Sequence, residues 1–288
     1  MEGFDLGRVL SRLFSMVIRT ALPVTLPLFI SYAIVGVLAY FLFGDFIGTL
    51  VESVRSGATD PAAMQALFTD LFTGSISMIL LLLAIMLVIG AFTRGGCLDS
   101  ALRAGRGEEA TIASFIAAGS ANLGNLLVFG IIWGVASNLI SYGIPLLFAA
   151  GGAEGLGQAL QLVIILPAMG FFCCAAPAIV NEPDVNGVNA FGRSIELTKG
   201  NVLMVILTIF LMGLIMVIGL MIGVLILAVI GGLLAALSPW LALVVMIAPV
   251  ALLISVYFQF IEGAMAALYQ ELKGVNGGGD ADLTSVFS

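Results

Sequence analysis

No histidine occurs among the 288 residues, and only 10 lysines and arginines and 3 cysteines are present. Without histidine the chain has no imidazole base titrating near neutrality, no His-containing catalytic triad and no imidazole ligand for zinc or haem. Cys97, Cys173 and Cys174 lack a metal-binding spacing, and two of them adjoin within an apolar run, so they read as free thiols packed as small hydrophobes. Charged residues make up 9% of the chain, and the net charge of −7 resides in loops and tails, which gives a nucleic-acid partner no electrostatic support. Neither a metal nor another cofactor is expected.

Apolar residues dominate what remains. They fill 61% of positions and the mean hydropathy is +1.21, which predicts a polytopic membrane protein, because a soluble fold would need an implausibly apolar surface. Tracts free of charge run from Leu71 to Thr93, Ala110 to Ala153, Gly155 to Asn181 and Gly200 to Ile261. Each holds at least one stretch of the roughly 20 residues that cross hydrocarbon as helix. Backbone in lipid must satisfy its own polar groups, so spans this long and uniformly apolar are helices rather than the short alternating strands of a barrel. The expected fold class is all-α, a bundle of six transmembrane helices with interfacial amphipathic helices.

Arg8, Arg12 and Arg19 precede an apolar run from Thr20 to Gly44 that is long enough to be a retained first span rather than a cleaved signal. The spans are expected near residues 21–43, 74–95, 121–142, 159–180, 202–230 and 240–269, with Gly231-Gly232 and Ser238-Pro239 dividing the last tract. Residues 44–73 form the largest loop, in which Asp60-Pro61 starts a helix. Residues 110–120 lie at the interface or dip into the membrane. Pro167 and Pro177 each remove a hydrogen bond from span four and bend it, and Trp240 marks a membrane boundary. Three regions follow: an amphipathic interfacial segment over 1–20, a six-helix membrane domain over 21–272, and a flexible tail over 273–288.

In this topology nine of the ten basic residues share one side, and Arg55 alone falls opposite. Basic residues in short loops stay cytoplasmic, which places both termini there. In the first segment Phe4, Leu6, Val9, Leu10, Leu13, Phe14 and Val17 follow one helical face and the arginines another, the pattern of a helix lying on anionic lipid. Phe191, Ile195 and Leu197 suggest a second interfacial helix, with Arg193 and Lys199 reaching phosphate or an acidic partner and Arg193 three residues from Glu196. The candidate contacts to lipid or to a partner are therefore Arg8, Arg12, Arg19, Arg103, Arg106, Arg193 and Lys199.

Asn122, Asn125, Gln259 and Glu262 are a candidate buried polar cluster, since polar side chains within a span face the bundle. Arg94, Arg103 and Arg193 are the candidate partners for Glu262 in a structural ion pair. A proton or substrate relay and simple exposure at the headgroups are the other roles open to it. Glu108-Glu109 and Glu182 with Asp184 read as solvated or capping carboxylates rather than metal ligands. Gly130 and Gly134, and Gly219 and Gly223, have the spacing that lets helices approach closely, within the bundle or in a homo-oligomer.

The block from Ala176-Pro177-Ala178-Ile179-Val180 through Arg193-Ser194-Ile195-Glu196-Leu197-Thr198-Lys199-Gly200-Asn201 resembles a broad group of prokaryotic six-helix membrane proteins. That group includes the membrane domain found beside some glycerophosphoryl diester phosphodiesterase catalytic domains, and related stand-alone proteins. The region from Gly96 to Gly107 and the terminal Leu268-Tyr269-Gln270-Glu271-Leu272 fit the same architecture. The resemblance implies a prokaryotic inner-membrane module and does not imply lipid hydrolysis, because the phosphodiesterase barrel needs histidine. The expected function is non-enzymatic: a structural, lipid-organising or accessory component whose partners are membrane lipids, anionic ones among them, or another membrane protein. A small-solute or lipid transporter is the alternative.

Overall fold

The computed structural model describes residues 4–55, 65, 69 and 76–276, and all of its regular structure among these is helical. The helices are α1 (Leu6–Arg19), α2 (Ala21–Arg55), α3 (Ile76–Gly105), α4 (Ile112–Asn138), a π-helical turn (Leu139–Gly143), α5 (Ile144–Ala150), α6 (Glu154–Phe172), α7 (Ala175–Asn181), α8 (Ala190–Thr198), α9 (Val202–Leu237) and α10 (Pro239–Asn276). Six segments are long and apolar enough to cross a membrane: α2, α3, α4 with α5, α6 with α7, α9 and α10. The protein is a multi-pass, all-α membrane bundle. The expected loop residues 56–64, 66–68 and 70–75, with Asp60-Pro61 among them, and the tail residues 277–288 lie outside the described residues.

Several helices run past their expected ends. α2 continues through Gly44 to Arg55, α9 passes through Gly231-Gly232 to Leu237, and α10 carries Lys273 and ends at Asn276. Glycine weakens a helix by about 1 kcal/mol in water, but at Gly231-Gly232, inside a span, an unpaired peptide group costs several times more, so the ladder continues there. Residues 112–120 are continuous in helix with span three: a Thr111–Ser114 capping box starts α4 and the helix runs unbroken to Asn138.

Span four breaks at Cys173-Cys174, and the cause lies four residues on. Pro177 has no N–H to offer the Cys173 carbonyl, and its ring crowds that group. Ser194 of α8 fills the gap from outside: its hydroxyl donates to Phe171 O at 2.7 Å and accepts from Cys174 N at 3.1 Å. Pro167 is accommodated within α6. All three cysteines are free and buried, as expected of small core hydrophobes.

α10 is the central helix, packing on α1, α2, α3 and α9, while α3 and α4 form the tightest pair. Gly95 and Gly119 make that pair possible: a Cβ on Gly95 would lie 3.1 Å from the Gly119 Cα, and one on Gly119 would lie 2.6 Å from Phe92 O. Of the spacings expected to close helices together, only Gly223 meets a neighbour tightly, at Leu253; Gly130 just touches Leu87, and nothing stands within 4 Å of a Cβ at Gly134 or Gly219.

Burial is strongly one-sided. Among the residues whose burial is described, the last buried one is Val35 along α2, Phe129 along α4 and Met212 along α9, and α3 has none before Ala91. The end carrying the basic residues is thus close-packed and the distal half is open, with α6 burying nothing between Gly157 and Gly170. The amphipathic α1 belongs to the packed end. Val9 and Leu13, expected against lipid, are instead buried, together with Met16, among Leu268, Tyr269 and Leu272 of α10 and Leu98, Ala101 and Leu102 of α3. Phe14, Ile18 and Leu22 remain exposed.

Candidate functional site

The packed end carries three sets of ion pairs, each built around a carboxylate that neighbouring helices bring to basic residues. In the first, Glu271 of α10 is only 2% exposed and receives Arg8 Nη2 at 2.8 Å and Arg12 Nη1 at 2.9 Å. Arg8 Nε and the Asp5 amide also donate to its Oε1. Asp5 caps α1 by accepting from the amides of Gly7 and Arg8. The cap and the ion pairs therefore fix α1 to α10 as one unit, because a carboxylate with this many donors is held in a single geometry.

The second set centres on Glu182, just beyond α7. Its Oε2 accepts from Arg193 Nε at 2.7 Å, and its Oε1 accepts from the Tyr269 hydroxyl at 2.6 Å. Tyr269 in turn accepts from Asn181 Nδ2 and Lys273 Nζ. Burial works to raise the Glu182 carboxyl, but the hydrogen bonds from Arg193 and Tyr269 outweigh it and hold the group below its usual range. The same contact raises Arg193 above its ordinary value. The expected Arg193–Glu196 contact is present at 3.2 Å. Nearby, Arg106 bonds Glu108 and Asn181, and Arg103 bonds Asp99 one turn back. The Glu108 carboxyl is lowered by the hydrogen bond from Arg106.

The third set lies deeper. Glu262 is 5% exposed, and its partner among the three candidates is Arg94, whose Nε stands 3.1 Å from Oε1 and 3.2 Å from Oε2. Gln259, one turn away, donates to Val17 O and Thr20 Oγ1 and accepts from Thr25 Oγ1. Gln259 and Glu262 are buried as expected, but Asn122 and Asn125 do not join them. Asn122 bonds Ala118 O of its own helix, and Asn125 is exposed. Asparagine can satisfy itself on the preceding turn, which glutamine and glutamate here do not.

Aromatic rings connect this level to span four. Phe129 lies under the Arg94 guanidinium at 5.4 Å, Phe191 packs on Phe129 at 5.1 Å and on Phe172 at 5.2 Å, and Phe172 meets Trp133. The ring of Phe191 is what docks α8, so this helix packs on the bundle through an aromatic side chain expected at the interface. No family model, curated protein or solved structure matches this chain.

Five of the seven candidate contact residues are therefore engaged within the protein: Arg8, Arg12, Arg103, Arg106 and Arg193. Arg19 and Lys199 are exposed with no ion pair among the described residues. Glu271, Tyr269 and Asn181 were not singled out by sequence. Glu271 lies in the segment Ala264 to Leu272, of which all but Met265 and Gln270 are buried, and its local sequence gives no sign of that.

Among the described residues no group of three or more histidine, cysteine or acidic side chains could hold a metal. The surface concavities are shallow and apolar. One follows the π-helical turn along Gly134, Asn138 and Tyr142, and another follows α2 along Phe29, Ala33 and Val37.

Proposed function

We propose that this protein is a non-enzymatic component of a prokaryotic inner membrane, with both termini in the cytoplasm, that organises lipid around a rigid cytoplasmic end or accompanies another membrane complex. One observation carries the reading: each carboxylate buried at the packed end is fixed by an arginine, Glu271 by Arg8 and Arg12 and Glu262 by Arg94. Such groups position helices. Glu271, which accepts from four donors, is also a poor acid-base catalyst, because a carboxylate so saturated gives and takes protons reluctantly.

Arg19 and Lys199 remain to meet anionic headgroups or an acidic partner. The Arg193-to-Asn201 block supports kinship with the six-helix group of membrane modules, and here that block serves to pack α8. The test is purification in mild detergent with identification of retained lipids and stoichiometric partners. Retention of anionic lipid or a constant partner supports the reading. Isolation without either, combined with solute flux in liposomes, overturns it.

A transporter is the second reading, favoured by the open distal half with an ion pair at its closed end. Flux assays in proteoliposomes decide it.

A further inference from the structure

An arginine carries five N–H donors, and Arg94 spends only Nε within the protein. Among the described residues no protein group accepts a hydrogen bond from its Nη1 or Nη2. The side chain is 30% exposed, and one face of the guanidinium is covered by Phe129. Four N–H groups beside aromatic rings are thus left for an acceptor from outside the protein.

The surroundings indicate what that acceptor is. Side chains of α3 lean toward its amino end, so the guanidinium is directed toward the distal half. Phe129, Phe191, Phe172 and Trp133 place it where α4, α6 and α8 meet, at the edge of the packed end. Beyond that point α6 and α4 leave apolar side chains such as Val163, Leu166, Ile131 and Val135 exposed.

We infer that the Nη1 and Nη2 groups of Arg94 bind the phosphodiester of an anionic phospholipid whose acyl chains lie along the exposed apolar side chains of α4 and α6. The planar fork of a guanidinium matches two phosphate oxygens, and the apolar side chains match the acyl chains. Glu262 orients the fork through Nε and at the same time opposes the anion, so it moderates the affinity. This assignment rests on the lipid-organising reading and names its ligand.

Dilauroyl phosphatidylglycerol is titrated onto the full-length protein in maltoside micelles, and bound equivalents are counted by native mass spectrometry. The wild type takes one tight equivalent that dilauroylglycerol, lacking phosphate, does not replace. The pair Arg94→Gln with Glu262→Gln keeps the site neutral, so it leaves no unpaired buried charge, and weakens this equivalent about tenfold, the effect of losing a charge-assisted bidentate contact. Glu262→Gln alone tightens it, an outcome that a purely structural role for the ion pair does not produce. Melting followed by a thiol-reactive dye on the buried cysteines confirms that each variant is folded.

Wild-type affinity in the folded double variant, or weakened binding in Glu262→Gln, overturns the site. If the tight equivalent is instead lost in Arg19→Gln with Lys199→Gln, the lipid-organising reading stands and the Arg94 site falls. If the wild type shows no preference for phosphatidylglycerol over dilauroylglycerol, both fall.

Discussion

Arg8 and Arg12, one turn apart on α1, divide a single carboxylate between them, Arg8 holding Oε1 of Glu271 at 2.8 Å and Arg12 holding Oε2 at 2.9 Å. Neither oxygen is shared, so each guanidinium has its own acceptor. The near-complete burial of Glu271 makes the arrangement an anchor rather than a surface ion pair.

Removing that acceptor leaves two like charges facing each other over α10. Glu271→Ala is expected to lower stability by on the order of 1.5–3 kcal/mol, the range for hydrogen bonds to charged groups. It should also expose the α1–α2 junction at Thr20 to protease. Dye-monitored melting and limited proteolysis in detergent check both effects, and an unchanged junction would mean that the apolar face of α1 holds it unaided.

The Glu182 carboxyl lies below its usual value near 4.5. A depressed folded-state pKa contributes stability that is present above the unfolded value and is lost as pH falls through the folded one. The attachment of α8 should therefore hold from neutrality to about pH 5 and weaken under more acid conditions. Hydrogen exchange of residues 190–198 between pH 7 and 3, corrected for intrinsic rates, reads this directly. In Glu182→Gln the additional acid-dependent loosening should be absent, with α8 already weakened at neutral pH.

Glycine substitutions separate close helix contact from mere abundance. Gly119→Ala puts a methyl 2.6 Å from Phe92 O, and Gly96→Ala puts one 2.7 Å from the Phe115 ring. Each should cost about 1–3 kcal/mol through overpacking. Gly134→Ala and Gly219→Ala meet nothing and should be neutral or slightly stabilising, since alanine is the better helix former. Melting temperatures of the four variants rank them.

Orientation has a direct readout in whole cells. Lys199→Cys should react with an impermeant maleimide only after the cytoplasmic membrane is opened, and Arg55→Cys should react from outside. The native cysteines are buried and contribute little background. The reverse pattern would invert the bundle.

Membrane class and span number were legible because burial in lipid selects long apolar tracts, whatever their neighbours. Helix ends were less so. Gly231-Gly232 looks like a break by the rules of water-exposed helices, and an apolar medium suspends those rules by penalising any open peptide group. The amphipathic pattern of α1 was plain, but periodicity records only that a face is apolar; whether lipid or α10 covers it depends on tertiary packing. The choice of Arg94 for Glu262, and of Asn122 for its own helix, likewise depends on which spans are neighbours. Glu271 and Tyr269 were hidden for a further reason: nothing local marks a charged or hydroxyl group at a helix end as an anchor until its partners from α1 and α7 arrive.

Ser194 closes the gap in span four from 20 and 23 residues further along the chain. Phe171 and Cys174 precede that hydroxyl in the chain, so their peptide groups at this break stay unmatched until α8 folds back on span four. Completion of the bundle is in this respect an event of chain order as well as of packing.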